Sequence, residues 1–190
     1  MKPMMTDLEL QLFESVLACS ENYLEFGSGG STCTAASRVK NSIISVDSSP
    51  QWIDRVRAAC AIQQDWVQPQ IFLVDIGPVG NWGIPIDPDT RQRWPNYHTR
   101  IWDHPAAVNA DLFMVDGRFR VACCLQILLH ARPDAVIAFH DYESRQHYHV
   151  VAQFLRPIAR VEDLSIFLGR RDYDHDHVRQ ILQEYASVAN

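Results

Sequence analysis

The chain reads as an α/β protein: a doubly wound, mostly parallel sheet with helices on both faces and an antiparallel tail. Three observations predict this. Five short apolar runs alternate with segments of helical spacing, the rhythm of a parallel sheet. Those runs are almost continuously apolar, as strands buried on both faces must be. The last two strands are separated by too few residues for a helical crossover and should pair antiparallel at one edge.

The elements follow in order. Asp7 to Cys19 places Leu8, Leu12, Phe13, Val16 and Leu17 at helical spacing, so residues 1–20 read as an N-terminal helix. Asn22–Phe26 is a strand broken by Gly27–Gly30, and Ser31 or Thr32 is placed to cap a helix running to about Lys40. Ser42–Val46 is a strand ending at Asp47. Ser49-Pro50 opens a helix carrying Trp52, Ile53, Val56, Ala59, Cys60 and Gln63, with proline where the first turn needs no N–H. Ile71–Val74 is the third strand, ending at Asp75.

The rhythm stops from Gly77 to about Pro95, a stretch too rich in proline and glycine for a regular helix or a central strand. A loop of this length inside a compact domain is typically a lid or binding loop, and the lid is placed at 77–102. A helix is expected around Tyr97–Val108. Leu112–Val115 is a strand, followed by a helix through Phe119, Ala122, Cys123, Ile127 and Leu128. Ala135–Phe139 is the fifth strand. A helix near Gln146–Leu155, strands Ile158–Val161 and Leu164–Leu168, and a terminal helix complete the chain, which forms a single domain over 1–190.

Composition excludes several classes. With 190 residues, 47% hydrophobic and 21% charged, the chain is neither disordered nor in need of disulfide staples. No apolar stretch approaches a membrane span, and the N-terminus does not resemble a secretory signal. A net charge of −6 argues against a nonspecific nucleic-acid binder. The five cysteines (19, 33, 60, 123 and 124) include no C-x-x-C pair, so they suggest neither a disulfide framework nor a zinc site; Cys123 and Cys124 read as buried thiols. A reducing cytoplasm is the expected compartment. The amphipathic N-terminal helix offers a face for a homo-oligomer.

Ligands of such sheets sit at the carboxyl ends of the strands. Here those ends carry Glu25, Asp47, Asp75, Asp116 and Asp141, an acidic rim. The first turn, Glu25-Phe26-Gly27-Ser28-Gly29-Gly30-Ser31-Thr32, permits close backbone approach, and Asp47 lies at the spacing expected for a carboxylate on ribose hydroxyls. Both a dinucleotide and S-adenosylmethionine fit so far. Glu25 separates them: it would repel a pyrophosphate over the turn but suit an ammonium and a sulfonium, and Asp116 adds to the same field.

The stretch E-F-G-S-G-G-S-T, followed by an acidic end on the second strand, resembles the glycine motif and ribose-binding motif of class I S-adenosylmethionine-dependent methyltransferases. The resemblance spans roughly residues 20–170. It implies a seven-stranded Rossmann-like sheet in the order 3-2-1-4-5-7-6 with an antiparallel last strand. It also implies S-adenosyl-L-methionine held by Glu25, Gly27, Ser28, Gly29, Ser31, Thr32, Asp47, Ser48 and Asp116, with Asp75 and Ile76 near the adenine. Ser31 stands where the usual third glycine would be, which is similar to the small-molecule O-methyltransferase branch.

Two segments face the transferred methyl group in this scheme, Val115–Arg120 and Ala138–His149. The first resembles the fourth-strand end of metal-assisted O-methyltransferases, which implies a divalent cation on Asp116 and Asp141. Structural roles stand beside that reading: Asp116 turning the chain, Asp141 capping a helix or pairing with Arg118 or Arg145. His140 is the candidate general base, since an imidazole titrates near neutrality, and it stands beside Asp116 and Asp141 as the catalytic set. Trp82 and Trp94 on the lid, with Arg118, Tyr142 and Arg145, are candidates for contacting a small-molecule substrate, the arginines as forks for an acidic one. Trp102 reads as core.

The expected activity is therefore methyl transfer from S-adenosylmethionine to a small-molecule acceptor, with oxygen as the acceptor atom and neither nucleic acid nor membrane as partner. The alternatives are a catalytically silent S-adenosylmethionine or nucleoside binding domain, a metal-dependent hydrolase using His140-Asp141, and an NAD-dependent oxidoreductase.

Overall fold

The computed structural model describes residues 1–61 and 65–189. Gln63, placed above on the third helix, lies outside the described residues. The elements run α1 (Asp7–Ala18), β1 (Asn22–Phe26), α2 (Gly30–Ala36), β2 (Ser42–Asp47), α3 (Pro50–Cys60), β3 (Gln70–Leu73), α4 (Asn96–Thr99), β4 (Leu112–Val115), α5 (Arg120–His130), β5 (Val136–Phe139), β6 (Leu155–Val161), β7 (Leu164–Gly169) and α6 (His175–Tyr185). The seven strands form one sheet in the order β3-β2-β1-β4-β5-β7-β6. The first five are parallel, and β7 runs antiparallel to both β5 and β6.

Alternation along each central strand divides the core between two faces. Leu24, Phe26, Ile44, Val46, Phe113, Val115, Ile137 and Phe139 point toward α5 and the segment between β3 and β4. Tyr23, Ile43, Leu112, Met114 and Ala138 point toward α1 and α2, where they meet Phe13, Leu17 and Ala35. Of the apolar face of α1, Phe13 and Leu17 are fully inaccessible within this chain, whereas Leu8 is exposed. A smaller cluster joins α2 to α3 and holds Cys33 and Cys60 as thiols with their sulfurs 2.8 Å apart. β6 is the exposed edge; Pro157, which has no N–H to donate, is tolerated there beside a bulge. Among the described residues no helix is long and apolar enough to cross a membrane.

Three helices are shorter than their spacing predicts. α2 begins at Gly30 and stops at Ala36, not Lys40. The Ser31 and Thr32 hydroxyls are drawn down to Glu25, and Val39 leaves the helix to enter the core. The helix expected over Tyr97–Val108 is the single turn α4 followed by a 3-10 turn, Arg100–Asp103; Pro105 cannot continue a helix, and the Trp102 indole folds back onto the His98 carbonyl at 2.9 Å. Gln146–Gln153 is 3-10, and Leu155 already belongs to β6.

Candidate functional site

The site is built at the carboxyl ends of β1, β2, β4 and β5. Gly27 leaves β1 with φ +101° while its N–H remains on the Val46 carbonyl at 2.9 Å. A Cβ there would lie 2.5 Å from the Cα of Gly117, so the loops after β1 and β4 touch only because both residues lack side chains. Gly30 is equally confined, with the Lys2-Pro3 backbone against it, so the N-terminal segment covers the start of α2.

Glu25 lies beneath this turn, fully buried. Four hydroxyls donate to its carboxylate: Tyr23 at 2.9 Å, Ser31 at 2.7 Å, Ser45 at 2.8 Å, and Thr32. Burial disfavours the charge and raises its pKa to about 7, although all four hydroxyls act in the opposite direction. The carboxylate expected to attract a cation is therefore a strut of the turn, and the rim charge comes from the other strand ends. Ser31 and Thr32 are committed to the same strut.

Asp47 organises the turn from the side. Its Oδ2 accepts from Ser28 N at 3.0 Å and Ser28 Oγ at 2.8 Å. Its Oδ1 accepts from Ser48 N at 2.7 Å and Ser49 N at 3.0 Å. Four donors fill the lone-pair directions of a carboxylate. Of these only the Ser28 hydroxyl can rotate away, leaving one side-chain donor exchangeable for a ligand hydroxyl. The Trp52 indole donates to the Ser28 carbonyl at 2.7 Å and lies alongside Gly29. Asp75 is exposed and paired with Arg93 at 3.1 Å, whereas the Ile76 side chain is in the core.

Beyond β4 and β5 lies a charged cluster. The buried Arg120 guanidinium reaches Asp116 at 3.1 Å and Asp141 at 2.9 Å, and donates to the carbonyls of Gly117 and His140 at 3.0 and 2.6 Å. Arg145 holds Asp141 at 2.8 Å and the Tyr148 hydroxyl at 3.2 Å. His140 is buried, with Nδ1 on Asp116 at 3.1 Å and Nε2 facing Glu9 at 3.6 Å. Burial lowers the imidazole pKa, but the Asp116 hydrogen bond and the charges of Asp116, Asp141 and Glu9 outweigh it and raise the value overall. Asp116 is also desolvated, which works against its charge, yet His140 and Arg120 hold its pKa below the ordinary value.

This arrangement changes two expectations. Asp116, His140 and Asp141 offer ligand atoms within 4.8 Å of one another, a metal-like grouping. The donor set does not fit a divalent cation, however, because Arg120 already bridges both carboxylates and a dication would have to displace a buried guanidinium beside Arg145. His140 meets a carboxylate at each ring nitrogen and is biased toward its protonated form, so it positions Asp116 rather than offering a free lone pair.

Within the expected lid, 77–102, the first residues form a small hairpin. Gly80 N donates to Ile84 O at 2.8 Å and Ile86 N to Pro78 O at 3.1 Å. Its tip leans over the cleft: a Cβ on Gly83 would lie 3.4 Å from Ser48 Oγ and 3.8 Å from Arg118 Cγ. Trp82, beside it, is 74% exposed with φ +61°. Trp94 packs on Phe119, and Tyr142 is buried among Phe139, Phe167 and His149. Trp102 lies between Phe26 and Phe113 and stacks on His130, as core. Sequence reasoning did not single out Glu9 or Arg120, and it read Tyr97 only as an aromatic of the lid. The Thr6-x-x-Glu9 capping box was visible in the chain, but its reach to His140 was not. Nothing local marks Arg120 as a bridge, or marks the Tyr97 hydroxyl as the group between Val46 O and Arg118 N, 3.5 Å from each.

No family profile and no curated protein matches the chain in sequence. Solved structures do match. A methyltransferase-like protein from Silicibacter pomeroyi is 28% identical, with a TM-score of 0.87 over 98% of this chain and 97% of that one. An O-methyltransferase from Bacillus cereus, in complex with SAH, is 16% identical over 88% of this chain and 84% of its own, with a TM-score of 0.59. The N-methyltransferase NodS from Bradyrhizobium japonicum, in complex with S-adenosyl-L-homocysteine, is 15% identical over 90% and 89%, with a TM-score of 0.57. With its strand order, its antiparallel tail and its glycine turn, the chain carries the fold of the class I S-adenosylmethionine-dependent methyltransferases and resembles that family along nearly its whole length.

Proposed function

We propose that the protein transfers a methyl group from S-adenosylmethionine to an oxygen atom of a small molecule. The observation that carries this is the joining of the Gly27–Gly29 turn to Asp47 through Ser28, at the carboxyl edge of a sheet in this strand order. The SAH complexes of the Bacillus and Bradyrhizobium enzymes support the same ligand class here. The donor set suits the group: Asp47 and Ser48 would hold the ribose, the Gly27–Gly29 backbone the amino-acid portion, and the shoulder near Asp75 the base. When bound, the cofactor supplies a methyl group already activated on a sulfonium. The chain's task is then alignment and exclusion of water, which the Gly83 hairpin is placed to perform.

Backbone strain marks the same edge. Trp82, Phe119 and Asp141 all have positive φ without being glycine, and all lie in loops at this end of the strands. Calorimetric titration with S-adenosylhomocysteine and with NAD tests the reading. Saturable binding of the first and none of the second is expected, with Asp47→Ala abolishing the signal. Binding of NAD alone would end the proposal.

A second reading, a catalytically silent binding domain, is favoured by the His140 ring, whose Nδ1 is bonded to Asp116 and whose Nε2 faces Glu9 at 3.6 Å, an arrangement that offers no evident general base. Transfer of label from methyl-tritiated S-adenosylmethionine to any small acceptor excludes it.

A further inference from the structure

Among the cleft's charges, Arg118 stands apart. Its Nε is buried without any hydrogen-bond partner. Among the described residues its guanidinium makes no ion pair, whereas Arg120 and Arg145 are both bound to carboxylates. Burial lowers its pKa, and the neighbouring Arg120 and Arg145 charges push in the same direction. The two carboxylates ion-paired with this arginine cluster, Asp116 and Asp141, are both engaged by Arg120. A desolvated arginine with an orphaned donor is costly unless an acceptor completes it. Arg118 follows β4 and shares its charged surroundings with Arg120, Arg145 and Tyr148, and the hairpin tip meets both its stem and Ser48: a Cβ on Gly83 would lie 3.8 Å from Arg118 Cγ and 3.4 Å from Ser48 Oγ. An anion entering under the hairpin tip would supply the missing partner.

We infer that Arg118 binds an oxyacid group of the methyl acceptor, and that the acceptor oxygen arrives already deprotonated. This rests on the methyltransferase reading above and gives it a substrate class: small carboxylic acids or comparably acidic hydroxyl compounds. It also accounts for the unavailable His140. A lone pair of the acceptor oxyanion forms the new carbon–oxygen bond to the methyl carbon. The carbon–sulfur bond breaks with its pair going to sulfur, which loses its positive charge. No proton is transferred in the step, so no general base is required. Arg145, the other arginine expected to grip an acidic substrate, is committed to Asp141 and Tyr148, whereas Arg118 makes no ion pair among the described residues.

The test uses purified protein saturated with S-adenosylhomocysteine and titrated with benzoate and with benzamide, which match in shape and differ in charge. Wild type should bind benzoate about tenfold or more tightly than benzamide, Arg118→Gln should lose that preference, and Arg118→Lys should keep part of it. Equal binding of the two probes, no saturable benzoate binding, or a preference that survives in Arg118→Gln overturns the inference.

Two further arms separate other sources of failure. Absence of S-adenosylhomocysteine binding to wild type refutes the cofactor reading rather than this one. The other arm compares S-adenosylhomocysteine with methylthioadenosine, which lacks the amino-acid carboxylate. If Arg118→Gln weakens only the former, Arg118 serves the cofactor's carboxylate and the acceptor assignment falls.

Discussion

Glu9 on α1 and His140 at the end of β5 face each other, Oε2 to Nε2, at 3.6 Å. Glu9 also accepts from Thr6 N and from Asp163 N, each at 2.9 Å, so one buried carboxylate ties the first helix, the β6–β7 turn and the carboxyl end of β5 together. The imidazole is thereby enclosed by carboxylates on both sides, and this decides its protonation.

Glu9→Gln should lower the His140 pKa, read as the pH midpoint of its ring resonances by NMR, because one of the three charges raising it is removed. The stability that a raised histidine pKa contributes is fully present below the unfolded value of about 6.5 and is lost as pH rises through the folded value. Denaturant midpoints should show that loss in wild type and a smaller one in Glu9→Gln. An unmoved His140 midpoint would contradict the enclosure.

Glu25 titrates in the same direction for a different reason. Its folded pKa of about 7 lies above the ordinary carboxylate value of 4.5, so the folded state holds the proton more tightly. Its contribution is complete below the unfolded value and fades between there and about pH 7, by roughly 3 kcal/mol over that range. Glu25→Gln should flatten this part of the pH–stability curve. Glu25→Ala should cost stability at every pH, since it leaves the Tyr23, Ser31, Thr32 and Ser45 hydroxyls without their shared acceptor.

Removing the Arg120 side chain leaves Asp116 and Asp141 without the bridge that neutralises both. Arg120→Met should destabilise the fold by about 3–5 kcal/mol in urea unfolding. Wild type should show no manganese or zinc binding at this cluster by calorimetry, and a chelator should leave methyl transfer unchanged. Loss of turnover with chelator would restore the metal.

Gly27→Ala places a Cβ 2.5 Å from Gly117 at φ +101°. The cost should be roughly 2 kcal/mol or more, and S-adenosylhomocysteine binding should fall with it because the turn must shift. Normal affinity in a folded Gly27→Ala protein would show that the turn does not shape the cofactor cleft.

Much of the architecture was legible in the residues. Continuous apolar runs marked β1, β2, β4 and β5 because a strand buried on both faces has no polar side, and the short spacing after Ile158–Val161 forced the antiparallel tail. The proline- and glycine-rich stretch after β3 marked a segment without regular helix or central strand, and the strand-end acids marked the carboxyl edge of the sheet. Three-dimensional packing decided what those acids do. Glu25 sits inside a ring of hydroxyls, Asp47 is filled by three backbone N–H groups and the Ser28 hydroxyl, and Asp116 with Asp141 is bridged by Arg120. Local spacing places a side chain on an element. Its charge state and availability depend on which distant groups desolvate it or bond to it, and those meet only when the chain closes: Glu9 with His140, Tyr97 between β2 and β4, Gly83 over Arg118.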